Sequence, residues 1–319
     1  MKIIKNGVCG FDEYDTMGYT FDLEKPLSSF QTDLIHRTFP GVEILNAEYT
    51  RDEWLPCPIR LILRMKDDLP KTVYLRITRL KNGISNEAYV LRLLYRMGLN
   101  VPYVYTSPVI DPNFPQLGDM ILISEIQGKN LYECYDLETS EGTVNAKKSI
   151  LKCVDTLYSY TDRMKDAGAD KILPVVSLTD ELAMIKKRGG AWFSHPQFYR
   201  TYQYLEKILP DIHQELVFSN GDINPCNFLC TGGDSPSFGF IDFSHSCFND
   251  PLYGFAKYIT YDMNPFDRNG LIEDYLASIG KTWGDFHPRL LLRALWTLQR
   301  EITLGQDDKY SRMLLRILG

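Results

Sequence analysis

No uninterrupted apolar run in these 319 residues approaches the roughly 20 that a membrane-spanning helix needs. The opening MKIIKNGVCGFDEYD has no apolar core long enough for a secretory signal, and Lys2 excludes a myristoylation signal. Positive charge is not in surplus either. Thirty-five Lys and Arg against 41 Asp and Glu leave a net charge of −6 and a pI near 5.5, which excludes a nucleic-acid binder working through a broad basic face. The acidity is too mild to name a cationic substrate, although it does not oppose one. Cysteines are scattered and odd in number: Cys9, Cys57, Cys134, Cys153, Cys226, Cys230 and Cys247. They read as reduced, packed thiols, and a cytoplasmic location is the expectation. Cys226, Cys230, Cys247 and His245 match a zinc pattern only loosely, because the first two lie in a strand-like context rather than a tight knuckle. Internal repeats and low-complexity tracts are also lacking.

What is present is an ordinary globular composition, 44% hydrophobic and 24% charged, in a chain long enough for one large domain or two lobes. VEILNAEYT, IRLILRM and TVYLRIT read as three strands, the last two joined through Asp67, Asp68 and Pro70 into an antiparallel hairpin. ISNEAYVLRLLYRMG reads as a helix with Ser85 as N-cap and Gly98 as its stop. VPYVYTS and DMILISEI read as further strands. After Gly128 the texture turns helical, near 144–165, 178–187, 197–209, 270–279 and 288–304, with short strands at VFS, NFLC and FGFIDFS. The expectation is an α+β chain: a β-rich lobe over 1–124, with an undecided arm over 1–32, and an α-rich lobe over 125–319.

The stretch VFSNGDINPCNFLC carries Asp222 and, five residues later, Asn227, in a loop stiffened by Pro225 and allowed to turn by Gly221. Asp242 closes the next apolar run, Phe238–Ile241. A hairpin across CTGGDSPS would bring these three oxygen-bearing side chains to one mouth. Magnesium prefers hard oxygen ligands and keeps water, so one carboxylate and one amide oxygen suffice where phosphates complete the shell. A second carboxylate held off the metal can orient and deprotonate a hydroxyl, which is the division of labour phosphoryl transfer needs.

SNGDINPCNFL followed by FGFIDFSHSCFNDPLYGFAKY resembles the catalytic core of the aminoglycoside phosphotransferase/choline kinase family, whose fold is bilobal and protein-kinase-like. The resemblance runs from about residue 42 to 258. It implies that Asp222 is the catalytic base, that Asn227 and Asp242 hold Mg2+, and that Asp250 braces the catalytic loop. Arg76 stands at the strand position of the phosphate-binding cation, where a guanidinium can grip phosphate oxygens in a fork. Glu87, on the following helix, stands where its acidic partner belongs. Backbone groups near Glu125 and Ile126, in ILISEIQGKNL, are implied to hold the base of ATP or GTP.

Three positions depart from the family pattern. Asn220 replaces the usual His, Gly254 replaces a second Asp after Asp250–Pro251, and the expected phosphate-covering loop, NAEYTRDEWLPCPIR, contains no glycine. Thr50 and Arg51 are candidate replacements in that loop.

Other features have plainer readings. His245 fits a structural histidine better than a substrate contact. AWFSHPQFYRTYQYL could cage a quaternary ammonium, but Phe198, Tyr202 and Leu205 fit a core-facing helix better. Glu133, Asp136, Glu138 and Glu141 read as a solvated face.

The leading function is an ATP- or GTP-dependent small-molecule kinase, with no nucleic-acid or membrane partner. The acceptor hydroxyl is left open among amino sugars, aminocyclitols, amino alcohols and similar metabolites. The alternative is a non-catalytic nucleotide-binding or regulatory protein on the same scaffold.

Overall fold

The computed structural model describes residues 21–51, 56–66, 69–78, 80–232, 236–261 and 263–319. Residues 1–20 of the undecided arm, Asp67 and Asp68 of the expected turn, part of the glycine-free loop (52–55) and part of CTGGDSPS (233–235) lie outside them. The described elements begin with α1 (Ser29–Thr38), β1 (Glu43–Tyr49), β2 (Ile59–Arg64), β3 (Lys71–Ile77) and α2 (Gly83–Arg96). β4 (Val109–Ile110), β5 (Asp119–Ser124) and β6 (Lys129–Asn130) follow. Next come α3 (Leu131–Cys134), α4 (Ser140–Tyr158), α5 (Thr161–Asp166), β7 (Val175–Val176), α6 (Leu178–Arg188) and α7 (Pro196–Ile208). Four short strands are β8 (Val217–Ser219), β9 (Phe228–Cys230), β10 (Phe238–Phe240) and β11 (Cys247–Asn249). The chain ends with α8 (Pro251–Phe255), α9 (Lys257–Thr260), α10 (Leu271–Ser278), α11 (Trp283–Glu301) and α12 (Lys309–Leu318).

Two compact units result. One takes the described residues up to Asn130 together with Asn227–Ser246; the other takes Leu131–Cys226 and Cys247–Gly319. The first unit is built on a five-stranded sheet in the order β1-β2-β3-β5-β4. The β2–β3 hairpin is antiparallel, with Ile59 opposite Leu75 and Leu63 opposite Lys71. Strand period two puts Val73, Leu75 and Ile77 on one face of β3, where they pack with Ile59, Leu61, Leu63 and with Leu34 and Ile35 of α1. Each such side chain, fully buried, contributes about 1.5–3 kcal/mol. Arg76 therefore faces the opposite side, the side on which α2 lies.

Several local expectations need correction. The sequence pattern indicated no helix before β1, yet Ser28 and Gln31 form a reciprocal capping box that starts α1. α2 starts at Gly83, with Asn82 as N-cap in a left-handed conformation and no side-chain cap bond. Ser85 is thus not the cap; its hydroxyl donates to Asp119 Oδ2 at 2.8 Å. VPYVYTS is not a strand. It runs alongside β5 with one isolated bridge, Val104 to Ile123, and bonds from Tyr105 to Leu122 and from Ser124 to Tyr103. Pro102 and Pro108 limit its ladder.

β9 and β10 pair antiparallel as a hairpin, Phe238 opposite Cys230, and β6 joins them as the third strand. This small sheet sits in the first unit. In the second unit, α11 is the spine: Leu291, Leu292, Leu295 and Leu298 pack with Leu182 and Ile185 of α6, Phe198, Tyr202 and Leu205 of α7, and Leu314 of α12. Phe198 and Tyr202 are thus core residues, which removes them from any ligand cage. A second small sheet, β7-β11-β8, sets the strand that leads into the Asp222 loop. No helix among the described residues is long and apolar enough to cross a membrane.

The connection between β5 and β6 depends on Gly128. Its φ is +129°, and a Cβ there would lie 2.9 Å from the backbone carbonyl oxygen of Cys230. Both the torsion and the close approach require glycine. Gly128→Ala is expected to destabilise the protein by about 1–3 kcal/mol, read as a lowered denaturation midpoint; an unchanged midpoint would refute the close approach.

Candidate active site

Arg76 and Glu87 meet because β3 points the arginine toward α2 and helical spacing places the glutamate on the buried face with Ala88 and Leu91. Arg76 Nε donates to Glu87 Oε2 at 2.9 Å, and Arg76 Nη2 also pairs with Asp242 Oδ1. The glutamate side chain is 1% exposed and the arginine 12%, so this is a desolvated ion network rather than a surface bridge. The other glutamate oxygen, Oε1, accepts from the backbone amide of Phe243 at 3.2 Å. Glu87 thereby holds both the cation and the main chain beside Asp242.

Asp242 has φ of +60°, a left-handed conformation that non-glycine residues seldom adopt. Ser244 donates to its Oδ1 at 2.9 Å. Burial favours the protonated acid at Asp242, but the charges of Arg76 and His245 and the Ser244 hydrogen bonds outweigh it and hold the carboxyl below its usual range. At Glu87 burial wins: the carboxyl is pushed up despite Arg76. Burial alone would ease the proton off Arg76, but Asp242 and Glu87 raise its affinity further and keep it a fixed cation.

Asn227 and Asp242 come together through the β9–β10 pairing: the amide of Ile241 donates to the Asn227 carbonyl at 3.0 Å. Asp242 Oδ1 takes both Arg76 and the Ser244 hydroxyl, and the Ser244 backbone amide also bonds this carboxylate. A carboxylate and a side-chain amide oxygen are hard donors of the kind that suit Mg2+ completed by phosphate and water. Outside the strand ladders, no backbone hydrogen bond among the described residues takes up the amides or carbonyls of Glu125 and Ile126. In the glycine-free loop the Thr50 amide bonds the Pro58 carbonyl at 3.0 Å, and the Cys57 thiol donates to the Arg51 carbonyl at 3.0 Å. The Thr50 amide is therefore already engaged.

Asp222 belongs to the second unit, on the turn that follows β8. Asn220, fully buried, clasps it by the main chain: its Nδ2 donates to the Asp222 carbonyl at 2.9 Å, and its Oδ1 accepts the Asp222 amide at 3.2 Å. Gly221, at φ +75°, makes the turn between them. The buried Tyr258 hydroxyl donates to the Ile223 carbonyl at 2.6 Å and fixes the loop from α9. From the same helix Lys257 pairs with Asp222 Oδ1. Lys257 was not singled out in the sequence, because its place beside Asp222 depends on the fold of α8 and α9, 35 residues downstream.

Asp250 is 3% exposed at its side chain and caps α8, accepting from the Tyr253 amide at 3.0 Å. Arg289 of α11 grips it in a fork, Nη2 to Oδ2 at 2.8 Å and Nε to Oδ2 at 3.2 Å. Arg289 is a second residue that sequence spacing did not reveal. His245 is exposed and acts on Asp242 through its charge. Glu133, Asp136, Glu138 and Glu141 are all exposed. Burial pushes the Cys247 thiol up to about 12, so it is inert as a thiolate.

Gly254, where an aspartate is common in the resembling family, leaves its neighbour unsatisfied. The Tyr158 hydroxyl is buried without a hydrogen-bond partner among the described residues, 3.6 Å from where a Cβ on Gly254 would stand. The nearest obstacle, at 3.3 Å, is the terminal methyl Cδ1 of Ile223, which can move. Gly254→Ser is expected to stabilise the protein by about 1 kcal/mol, joining helix propensity to a partner for the hydroxyl. Gly254→Ala isolates the propensity contribution, and a serine variant no more stable than the alanine one would show that the hydroxyl gains nothing.

Residues 62–289 match the phosphotransferase enzyme family. No curated protein matches the chain significantly in sequence. Among solved structures, the choline kinase LicA from Streptococcus pneumoniae superposes with a TM-score of 0.56 at 16% identity, covering 91% of this chain and 99% of that one. The GDP and kanamycin complex of APH(2")-IIIa gives 0.58 at 15%, covering 91% and 97%. A thermostable mutant of aminoglycoside phosphotransferase APH(4)-Ia, in ternary complex with AMP-PNP and hygromycin B, gives 0.63 at 14%, covering 89% and 95%. These likenesses establish the protein-kinase-like fold that the ordered set Arg76, Glu87, Asp222, Asn227 and Asp242 led one to expect. With the match spanning most of its length, the chain belongs to the phosphotransferase enzyme family.

Proposed function

We propose that this protein is a small-molecule kinase that transfers the γ-phosphoryl group of ATP or GTP to an acceptor hydroxyl. The observation that carries the reading is the buried Arg76–Glu87–Asp242 network, in which a fixed cation and an ionised carboxylate are held side by side. The first unit supplies the nucleotide grip, and the second supplies the base and the acceptor surface. Arg76 grips phosphate oxygens in a fork, and Glu87 sets the direction of that fork. Backbone groups of Glu125 and Ile126 receive the nucleotide base. Asn227 and Asp242 hold magnesium, which when bound neutralises charge on the nucleotide phosphates. Asp222 accepts the acceptor's hydroxyl proton, with its main chain fixed by Asn220 and its carboxylate steadied by Lys257. Asp250 braces this half indirectly, by fastening α8 to α11 ahead of the helix that carries Lys257 and Tyr258. Positioning and charge neutralisation supply the rate, since the transferred phosphoryl needs little covalent help.

The similar solved structures include a choline kinase and complexes with kanamycin and hygromycin B, the last two together with nucleotides. Amino alcohols, amino sugars and aminocyclitols are therefore the first acceptor classes to screen. The competing reading, a nucleotide-binding regulator, draws on the glycine-free loop, but it gives no reason to keep both Asn227 and Asp242.

Two expectations follow. Asp222→Asn abolishes transfer while magnesium-dependent nucleotide stabilisation in a thermal-shift titration persists; wild-type turnover in that variant would remove Asp222 as the base. Glu87→Gln weakens magnesium–nucleotide binding about tenfold, because Arg76 loses its orienting charge. Its melting temperature stays level or rises at neutral pH. The sign follows from the raised pKa of Glu87: a carboxyl pushed up by folding costs stability above the ordinary glutamate range, and glutamine removes that cost. A large drop in melting temperature with unchanged nucleotide affinity would show that the pair serves the fold alone.

A further inference from the structure

A run of side-chain cations and aromatic rings leads away from Asp222 within the second unit. Lys257, paired with Asp222, also sits 5.3 Å from the centre of the Tyr261 ring. Arg293 of α11 lies 5.7 Å from the same ring and 4.3 Å from that of Trp296. Arg300 and Arg188 approach the Trp296 ring at 4.9 and 5.7 Å. The strip is accessible in part: Arg300 is exposed, and the other five side chains are half-buried.

Three features of this strip bear on what it can bind. First, its ring faces are taken. An aromatic cage for a quaternary ammonium needs open faces, and here Lys257, Arg293 and Arg300 already cover those of Tyr261 and Trp296. Second, its carboxylates are matched. Asp222 faces Lys257, Glu301 stands 3.6 Å from Arg300, and Glu181 lies in the field of Arg293 and Arg188. Lys257, Arg188, Arg293 and Arg300 against Asp222, Glu181 and Glu301 leave one positive charge over, 4 − 3 = +1. Burial also pushes the Glu181 carboxyl up, against the pull of Arg293, which makes that acid a poorer counter-ion for an amine. A polyamine needs the reverse, carboxylates in surplus. Third, donors are left over. Arg188 Nη1 and Arg293 Nε are buried and have no hydrogen-bond partner among the described residues, and guanidinium donors that lack an acceptor fit a carboxylate.

We propose that this strip is the acceptor site and that it selects a small hydroxylated molecule bearing a carboxylate, not a polyamine sugar or a quaternary amine. The inference rests on the kinase reading above and narrows its acceptor. Arg188, Arg293 and Arg300 hold the carboxylate, and the hydroxyl is presented to Asp222. The hydroxyl oxygen bonds to the γ-phosphorus as the bond from that phosphorus to the β–γ bridging oxygen breaks. The proton passes to Asp222, the nucleoside diphosphate leaves with the bonding pair, and the acceptor's carboxylate is unchanged.

The test is calorimetric titration of the full-length protein, loaded with MgADP or MgGDP, with matched probes that differ in charge. D-glucuronate, D-gluconate and D-glycerate form the acid set; D-glucosamine, kanamycin and choline form the amine set. At least one acid is expected to bind and no amine. Arg300→Gln and Arg188→Gln, checked for unchanged melting, are each expected to weaken that acid about tenfold with nucleotide affinity untouched. Amine binding without acid binding overturns the inference. So does acid binding that neither substitution weakens, or binding of no probe by a nucleotide-loaded protein. Failure to take up the magnesium nucleotide itself is a different result: it overturns the kinase reading before any acceptor is tested.

Discussion

The interaction on which the first unit turns is the pairing of Arg76 with both Glu87 and Asp242. Removing the arginine would leave its carboxylate partners without their cation and cost about 3–5 kcal/mol. The surrounding architecture can be understood as the means of keeping it assembled. α1 closes the face of the sheet away from Arg76 with Leu34 and Ile35, so that the arginine has one direction left. α2 delivers Glu87, whose second oxygen holds the Phe243 amide and with it the left-handed backbone at Asp242. The same carboxylate therefore positions a cation and a strained acid, and neither can move without the other registering it.

The second unit solves a similar problem with different parts. Asp222 has to be held still, and Asn220 does this through two main-chain bonds rather than through the carboxylate. The side chain is left to Lys257, at 15% exposure beside an aspartate at 28%. An amide suits this reciprocal clasp because its donor and acceptor stand side by side on one carbon. The departure from the family pattern thus leaves the loop with a defined support. Asp250 and Arg289 fix the next joint in the chain, at the N-terminus of α8.

What could be read from the sequence was what depends on short spacing and period. The five residues from Asp222 to Asn227, the apolar runs that end at Asp242, and the alternation in IRLILRM and TVYLRIT each prescribe local geometry, and the β2–β3 and β9–β10 hairpins follow. Helix starts were less legible. Asn82 begins α2 in a left-handed conformation without a side-chain bond, while Ser85, a better-looking cap, spends its hydroxyl on Asp119. VPYVYTS had the composition of a strand but lies along β5 with a single bridge, since the prolines deny it a continuous ladder. The contacts of Lys257 with Asp222, Arg289 with Asp250 and Arg188 with Trp296 were out of reach altogether. They join residues 35 to more than 100 apart, and no periodicity encodes which helix faces which.

The balance between catalyst and relic turns on what the chain continues to maintain at a cost. A left-handed aspartate at position 242 would be relieved by glycine, and a buried Arg–Glu pair can be replaced by apolar side chains at no loss, or some gain, of stability. A scaffold that only had to fold would be free to make both changes. Here the strained torsion, the buried ions and the clasp on Asp222 are all present, and each would serve the phosphoryl transfer proposed above. The glycine-free loop does not weigh equally on the other side. A glycine loop supplies backbone donors to phosphate, and a cation fixed as firmly as Arg76 supplies the same kind of contact from a side chain. Strain that the fold does not require, found at residues assigned to hold and move charge, is what the proposed activity calls for.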